Sequence, residues 1–210
     1  MLTKVALMLG TFNPIHWGHL LMADLAQQQF SLEKVFFIPS ANPPHRSNEL
    51  DLVAFEHRLA MVTRAIEPFQ HFEVRDMEGK RSGPSYTVDT LVEIAEAENI
   101  LPGEKIPVII GSDALSQLAS WHKPAEVIDR AVFLQVPRID TPWVESIQLA
   151  PGVVKPLATR KVFMPLVGMS STWIRQSAQS GILPQAAMPE AVWQYIQQYQ
   201  LWQEAVLTKI

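Results

Sequence analysis

The sequence predicts an α/β fold in which a mostly parallel central sheet is covered by helices on both faces. Three observations lead there. Short apolar runs rich in β-branched and aromatic residues, at Val5–Leu9, Lys34–Pro39, Ile106–Gly111 and Ala131–Val136, recur at intervals too long for hairpins. Stretches with apolar residues at helical spacing separate them, which is the pattern of repeated βαβ units. Apolar residues make up 48 % of the 210-residue chain and charged residues 18 %, enough for a sizeable core without long disorder.

The first unit organises the rest. Val5–Leu9 suits a buried strand, Gly10 to Pro14 interrupt it, and helical spacing resumes from about Trp17 through Leu21 and Leu25. A strand followed by a helix leaves free backbone N–H groups and the positive helix end at the carboxyl edge of the sheet, where α/β proteins bind ligands. His16 and His19 are three residues apart, so both imidazoles can reach one anionic group. Charge-assisted bonds from them to phosphate are worth roughly 1.5 to 3 kcal/mol each, against about 0.3 to 1 for the helix end alone. Gly18 between them lets a ligand approach the backbone.

Lys34–Pro39 reads as the second strand, halted by its proline. In the loop that follows, His45 and Arg46 come just after the stiff Pro43-Pro44 pair; they either face a ligand phosphate or belong to a solvated surface loop. Leu52, Phe55, Leu59, Val62 and Ile66 predict a helix from Asp51 to about Ile66, with Arg58 either in a structural role or capping or crossing the active edge. Phe72–Val74 is a short strand, and Asp76 to Gly83 a charged turn region. A further helix begins at Ser85, after Pro84, where crowded hydroxyls predict an N-cap that can also receive a carboxylate or phosphate.

Ile106–Gly111 is the next central strand, ending in Gly111-Ser112-Asp113. Asp113 either holds ribose hydroxyls, assists a metal, or caps a segment beginning near Ala114. Trp121, one of six tryptophans, either stacks on a flat heterocycle or joins the core. Ala131–Val136 is another strand. Residues 137 to 160 hold four prolines and little periodicity, with strand character around Ile147–Leu149. The last strand is expected over Arg160–Leu166. It leads to Ser170-Ser171-Thr172-Trp173-Ile174-Arg175, where hydroxyls, amides and a guanidinium make either an anion clamp or an ordinary helix cap followed by a surface arginine. A stripe from Ala191 to Tyr199 closes the core, giving a single domain over 1–210 with a C-terminal helical portion at about 170–204.

Composition narrows the function. A formal net charge of −4 gives no global attraction to nucleic acid or an anionic membrane. Without cysteine there is no disulfide, thiol nucleophile or cysteine metal cluster. The early sequence lacks a secretory pattern and no run approaches a membrane span, so a cytoplasmic location is expected. Neither G-x-x-x-x-G-K-[ST] nor G-x-G-x-x-G is present, which leaves P-loop and dinucleotide-fingerprint chemistry unsupported. A catalytic zinc at His16 and His19 would need a third ligand, and no compact donor stands beside them.

Gly10-Thr11-Phe12-Asn13-Pro14-Ile15-His16-Trp17-Gly18-His19 resembles the G-T-F-D-P-x-H-x-G-H region of the adenylyltransferase branch of the nucleotidyltransferase superfamily, and Ser170–Arg175 matches its S-S-T-x-I-R block. Pro43-Pro44-His45-Arg46, Ser85–Leu91, Gly111-Ser112-Asp113 and Trp121, in this order, resemble the bacterial nicotinate-nucleotide adenylyltransferases. The resemblance covers residues 4 to about 202. It departs at Asn13, where the family commonly has Asp, and at Leu9, where many members have Gly.

What the resemblance implies is a Rossmann-like three-layer fold that moves AMP from ATP to nicotinic acid mononucleotide, forming nicotinic acid adenine dinucleotide and pyrophosphate in NAD biosynthesis. Gly10, Thr11, Phe12, Gly18, Gly111 and Asp113 would line the ATP site, His16 and His19 would stabilise charge around the α-phosphorus, and Ser171, Thr172 and Arg175 would grip the outer phosphates. Trp121 would stack on the pyridine ring, the Tyr86-Thr87 backbone would recognise its carboxylate, and His45 and Arg46 would meet phosphates. Mg²⁺ is expected on substrate phosphates, not in a protein cage. The competing expectations are a different phosphorylated acceptor, such as nicotinamide mononucleotide, or a non-catalytic adenine-nucleotide sensor.

Overall fold

The computed structural model describes residues 3–44, 50–138 and 141–203. Its strands are β1 (Val5–Gly10), β2 (Lys34–Pro39), β3 (Phe72–Val74), β4 (Ile106–Gly111), β5 (Ala131–Val136), β6 (Ser146–Ala150), β7 (Val153–Pro156) and β8 (Thr159–Lys161). Its helices are α1 (Trp17–Gln29), α2 (Phe55–Ile66), α3 (Met77–Lys80), α4 (Thr87–Ala97), α5 (Ser112–Ser116), α6 (Pro124–Arg130), α7 (Ser171–Gln179) and α8 (Glu190–Gln198). Six strands pair in the order β3-β2-β1-β4-β5-β8, all parallel.

Burial on both faces explains the unbroken apolar runs. Ala6, Met8, Val35 and Phe37 point into one cluster with α1, α2, α7 and α8, among them Leu20, Met61, Ile174 and Ile196. Their neighbours Leu7, Phe36, Ile38 and Phe133 point into the other with α4, α5 and α6, through Leu91, Leu115 and Val127. The three-layer expectation holds. Strand order reverses between β2 and β4 on either side of β1, and a crevice opens at that switch point beyond the carboxyl ends of the strands.

Several expected boundaries move, each for a local reason. The helix foreseen from Asp51 begins at Phe55, because the backbone before it is committed elsewhere: Val53 N–H donates to Asn13 Oδ1 and Val53 C=O accepts from Arg58 Nε. The charged turn at 76–83 contains α3, which buries Glu78 under Thr90, whose hydroxyl donates to its carboxylate at 2.7 Å. The last strand is only three residues long. After Val162 the chain leaves the sheet, and the Phe163 main chain exchanges two 2.8 Å hydrogen bonds with the Gln29 side chain at the end of α1. Residues 146–156 form a separate antiparallel hairpin, turning at Pro151-Gly152, where Gly152 has φ +76°. Among the described residues, no helix is long and apolar enough to cross a membrane.

Candidate active site

The end of β1 is shaped by glycine. A Cβ on Gly10 would lie 3.0 Å from the Phe12 ring, which folds back over it from a left-handed backbone, φ +48°. Phe12 meets His19 edge-on, with centroids 5.2 Å apart. The Asn13–Pro14 bond is cis. His16 is the N-cap of α1 and His19 its third residue; their rings stack at 3.8 Å and 26°. The His16 backbone N–H donates to His19 Nδ1 at 3.3 Å, so in the neutral ring the proton sits on His19 Nε2, which becomes the donor available to a ligand.

Burial favours the neutral form of both imidazoles near neutral pH. Burial, with Arg138 nearby, pulls His16 down to about 4, and burial, His16 and Arg138 together hold His19 well below the ordinary histidine range. A neutral ring acts as an N–H donor, so in a charge-assisted bond from either histidine the charge comes from the anion. Gly18 is buried, and its missing Cβ makes room for His16, whose ring would lie 2.9 Å away.

At the end of β4, Ser112 Oγ accepts from the Arg138 backbone N–H at 3.0 Å, and Asp113 Oδ1 lies 3.7 Å from Arg138 Nε. Asp113 does not cap the following helix: α5 starts at Ser112, with Gly111 as its N-cap, which removes the capping alternative. A Cβ on Gly111 would lie 2.3 Å from Asp113 Oδ1 and 3.1 Å from Arg138 Nε, so this glycine clears space for that pair. Arg138 Nε is buried and has no hydrogen-bond partner among the described residues. Sequence reasoning missed Arg138. Its signal was a cation two residues beyond a buried parallel strand, on the edge where ligands bind.

Beside β1 lies a cavity of about 490 Å³, lined by Leu9, Gly10 and Thr11, by Pro43 and Pro44, by Ser85–Thr87, and by Trp121 and His122. Tyr86, Thr87 and Trp121 thus line one cavity. The hydroxyl cap on α4 does not form: Tyr86 is the N-cap with no side-chain bond, and Ser85 Oγ accepts from Asn42 N–H at 3.0 Å. The Thr87 and Val88 N–H groups precede the first helical bonds, which Asp89 and Thr90 donate to Tyr86 C=O. The Tyr86 ring stacks on His122 at 4.1 Å. His45 and Arg46 lie outside the described residues.

The second helix entrance docks onto the first. Ser170 Oγ caps α7 by accepting from Trp173 N–H at 3.2 Å, while Ser171 Oγ donates to Pro14 C=O at 2.8 Å. Thr172 is exposed. Arg175 is a buried residue, not the surface arginine of the plainer alternative; its Nη1 donates to Asn13 C=O at 2.9 Å and its Nε to Asp51 Oδ2 at 2.5 Å. Asn13, which departs from the family's Asp, uses both ends of its amide, donating to Asp51 C=O at 3.0 Å and accepting from Val53 N–H at 3.3 Å. A carboxylate could not donate the first of these bonds.

Of the two readings of Arg58, its contacts fit the structural one. It is fully buried and donates to the carbonyls of Thr11, Ser40, Ala41 and Val53. Burial lowers its pKa to about 10, partly offset by Glu56 and Glu78, so it stays charged.

Residues 7–177 match the cytidylyltransferase-like family model. A probable nicotinate-nucleotide adenylyltransferase of Salinibacter ruber is 35 % identical over 205 residues, covering 94 % of this chain and 97 % of the relative. The chain belongs to the nicotinate-nucleotide adenylyltransferase family. A family member named from Trichlorobacter lovleyi is 41 % identical over 152 residues, covering 72 % of this chain and 70 % of its own. The fold has a solved counterpart in Plasmodium falciparum nicotinic acid mononucleotide adenylyltransferase complexed with NaAD, with TM-score 0.75, 18 % identity and coverage of 94 % and 96 %. Within this chain the Gly10–His19 and Ser170–Arg175 blocks meet beyond the end of β1, through Ser171–Pro14 and Arg175–Asn13. No group of three or more His, Cys, Asp or Glu among the described residues is placed to hold a metal ion.

Proposed function

We infer that the protein transfers AMP from ATP to nicotinic acid mononucleotide, releasing pyrophosphate and forming nicotinic acid adenine dinucleotide in NAD biosynthesis. The observation that carries this is the docking of α7 on the β1–α1 turn through Ser171–Pro14 and Arg175–Asn13, directly beside an open cavity. Two helix entrances and an acceptor-sized space share one edge of the sheet. That is what a triphosphate and a second phosphorylated substrate require.

In the proposed reaction an oxygen of the acceptor phosphate attacks the α-phosphorus, the bond from that phosphorus to the β-bridging oxygen breaks, and pyrophosphate leaves with the electron pair. The attacking oxygen is already anionic near neutral pH, so no general base and no protein nucleophile are needed. His19 Nε2, with His16 stacked behind it, donates to the oxygens around the α-phosphorus. Arg138 adds a fixed positive charge on the same side, and Ser171, Thr172 and Arg175 hold the outer phosphates. The contribution is alignment and electrostatic stabilisation of the transferring group. Gly10, Thr11, Phe12 and Gly111 line the nucleotide, and Asp113 serves its ribose.

On the acceptor side, Trp121 is proposed to stack on the pyridine ring and the free N–H groups at the start of α4 to receive its carboxylate, with His45 and Arg46 toward the phosphates. The described residues do not form a metal cage. Mg²⁺ is proposed to bind the substrate phosphates, where it would offset their charge. The test is pyrophosphate release from ATP with nicotinic acid mononucleotide, with nicotinamide mononucleotide, and with no acceptor. Preference for the acid supports the assignment; equal or greater turnover of the amide overturns the acceptor, and no release with either overturns the activity.

A further inference from the structure

The loop that starts at Ser40 is held at both ends by side chains that also hold the nucleotide edge. Arg58 grips Ser40 and Ala41 carbonyls at one end, Val53 C=O at the other, and Thr11 C=O on β1's turn. Asn13 binds Asp51 C=O and Val53 N–H on the return. Pro43 and Pro44 of this loop line the cavity. Asp51 is where the loop's return meets the second helix entrance: its carbonyl accepts from Asn13 Nδ2 and, at 2.6 Å, from Trp202 Nε1, while its carboxylate takes Arg175 Nε.

We propose that Asp51 is a positioning residue that couples the two substrate subsites, acting through Arg175; this rests on the adenylyl-transfer reading above. Arg175 is 4 % exposed, and its guanidinium has three nitrogens to satisfy. Nε goes to Asp51 and Nη1 to Asn13 C=O, leaving Nη2 without a partner among the described residues. With two edges fixed, the planar group presents the third in one direction. A phosphate that engages Nη2 therefore loads Asp51, and Asp51 is the residue through which the acceptor-side loop returns. The main-chain bonds of Asp51 do not depend on its carboxylate, so the side chain can be altered while the loop's anchorage stays.

The experiment measures, by calorimetry, binding of nicotinic acid mononucleotide with and without α,β-methylene ATP, which cannot release pyrophosphate. Wild type is expected to bind the acceptor about fivefold or more tightly when the analogue is present. Asp51→Asn should bring that ratio to within about twofold of one while unfolding cooperatively near the wild-type temperature, and Asp51→Glu should restore part of it. Asp51→Ser gives the same comparison if the amide variant fails to fold. A wild-type ratio near one, or an unchanged ratio in the folded variants, overturns the proposal. Wild-type pyrophosphate release is measured alongside: binding of both ligands without release defeats the functional reading, while the ratio still decides the role of Asp51.

Discussion

Replacing His16 with Asn should make the fold less sensitive to acid. In the folded protein His16 is 1 % exposed and its pKa is held at about 4, against 6.5 for the ordinary side chain, chiefly by burial and then by Arg138. A depressed pKa means the unfolded chain takes up the proton first. The stabilising contribution is then complete above the unfolded value of 6.5 and is lost as pH falls toward about 4. Between about pH 7.5 and about pH 5 this single ring costs the wild type about 2 kcal/mol of unfolding free energy. Asn does not titrate, so His16→Asn should lose about 2 kcal/mol less over the same interval, whatever its stability at the upper pH. His19, shifted in the same direction partly by His16, leaves a residual acid loss in the variant. Urea unfolding at the two pH values measures the difference directly. Equal losses in wild type and variant would refute a neutral, buried His16.

Three further substitutions probe the site. Gly18→Ala puts a methyl 2.9 Å from the His16 ring, and should lower stability by about 1–3 kcal/mol and raise the KM for ATP, as read by denaturant unfolding and steady-state kinetics. Arg58→Met leaves four carbonyls without their donor and should cost about 3 kcal/mol or more, with KM rising for both substrates because Thr11 and Ser40 share that guanidinium. His19→Ala should reduce kcat by about 10²–10³ while acceptor affinity, measured by calorimetry, changes little; unchanged turnover in a folded variant would remove His19 from the chemistry.

The central sheet was legible because two-sided burial writes itself as continuous apolar runs: β1, β2, β4 and β5 fall where Val5, Lys34, Ile106 and Ala131 begin those runs. Helix entrances were legible too, since glycine, proline and hydroxyl residues punctuate strand ends. Edges were harder. β8 stops at Lys161 because the next residues bond to Gln29 of α1, and a contact 134 positions away leaves no local trace. The start of α2 moved for the same kind of reason, its upstream backbone being claimed by Asn13 and Arg58.

Within the site, residue types and order pointed to the histidine pair, the Ser-Ser-Thr entrance and the Tyr86–Trp121 wall. Their protonation did not follow from spacing. It depends on how deeply His16 is buried and on Arg138, which joins the pair only when β5 is laid beside β4. Arg175 likewise looks like a free guanidinium in sequence, and only the fold brings Asp51 and the Asn13 carbonyl to two of its nitrogens.

Direct transfer requires a triphosphate aligned between two helix entrances so that the acceptor phosphate displaces pyrophosphate in one in-line step. ATP carrying a chiral sulfur at the α-phosphorus tests this directly, by the configuration of the dinucleotide formed with nicotinic acid mononucleotide. A single displacement inverts that phosphorus, and inversion is the predicted result. Retention would mean that AMP passes through a covalent protein intermediate, contradicting direct transfer.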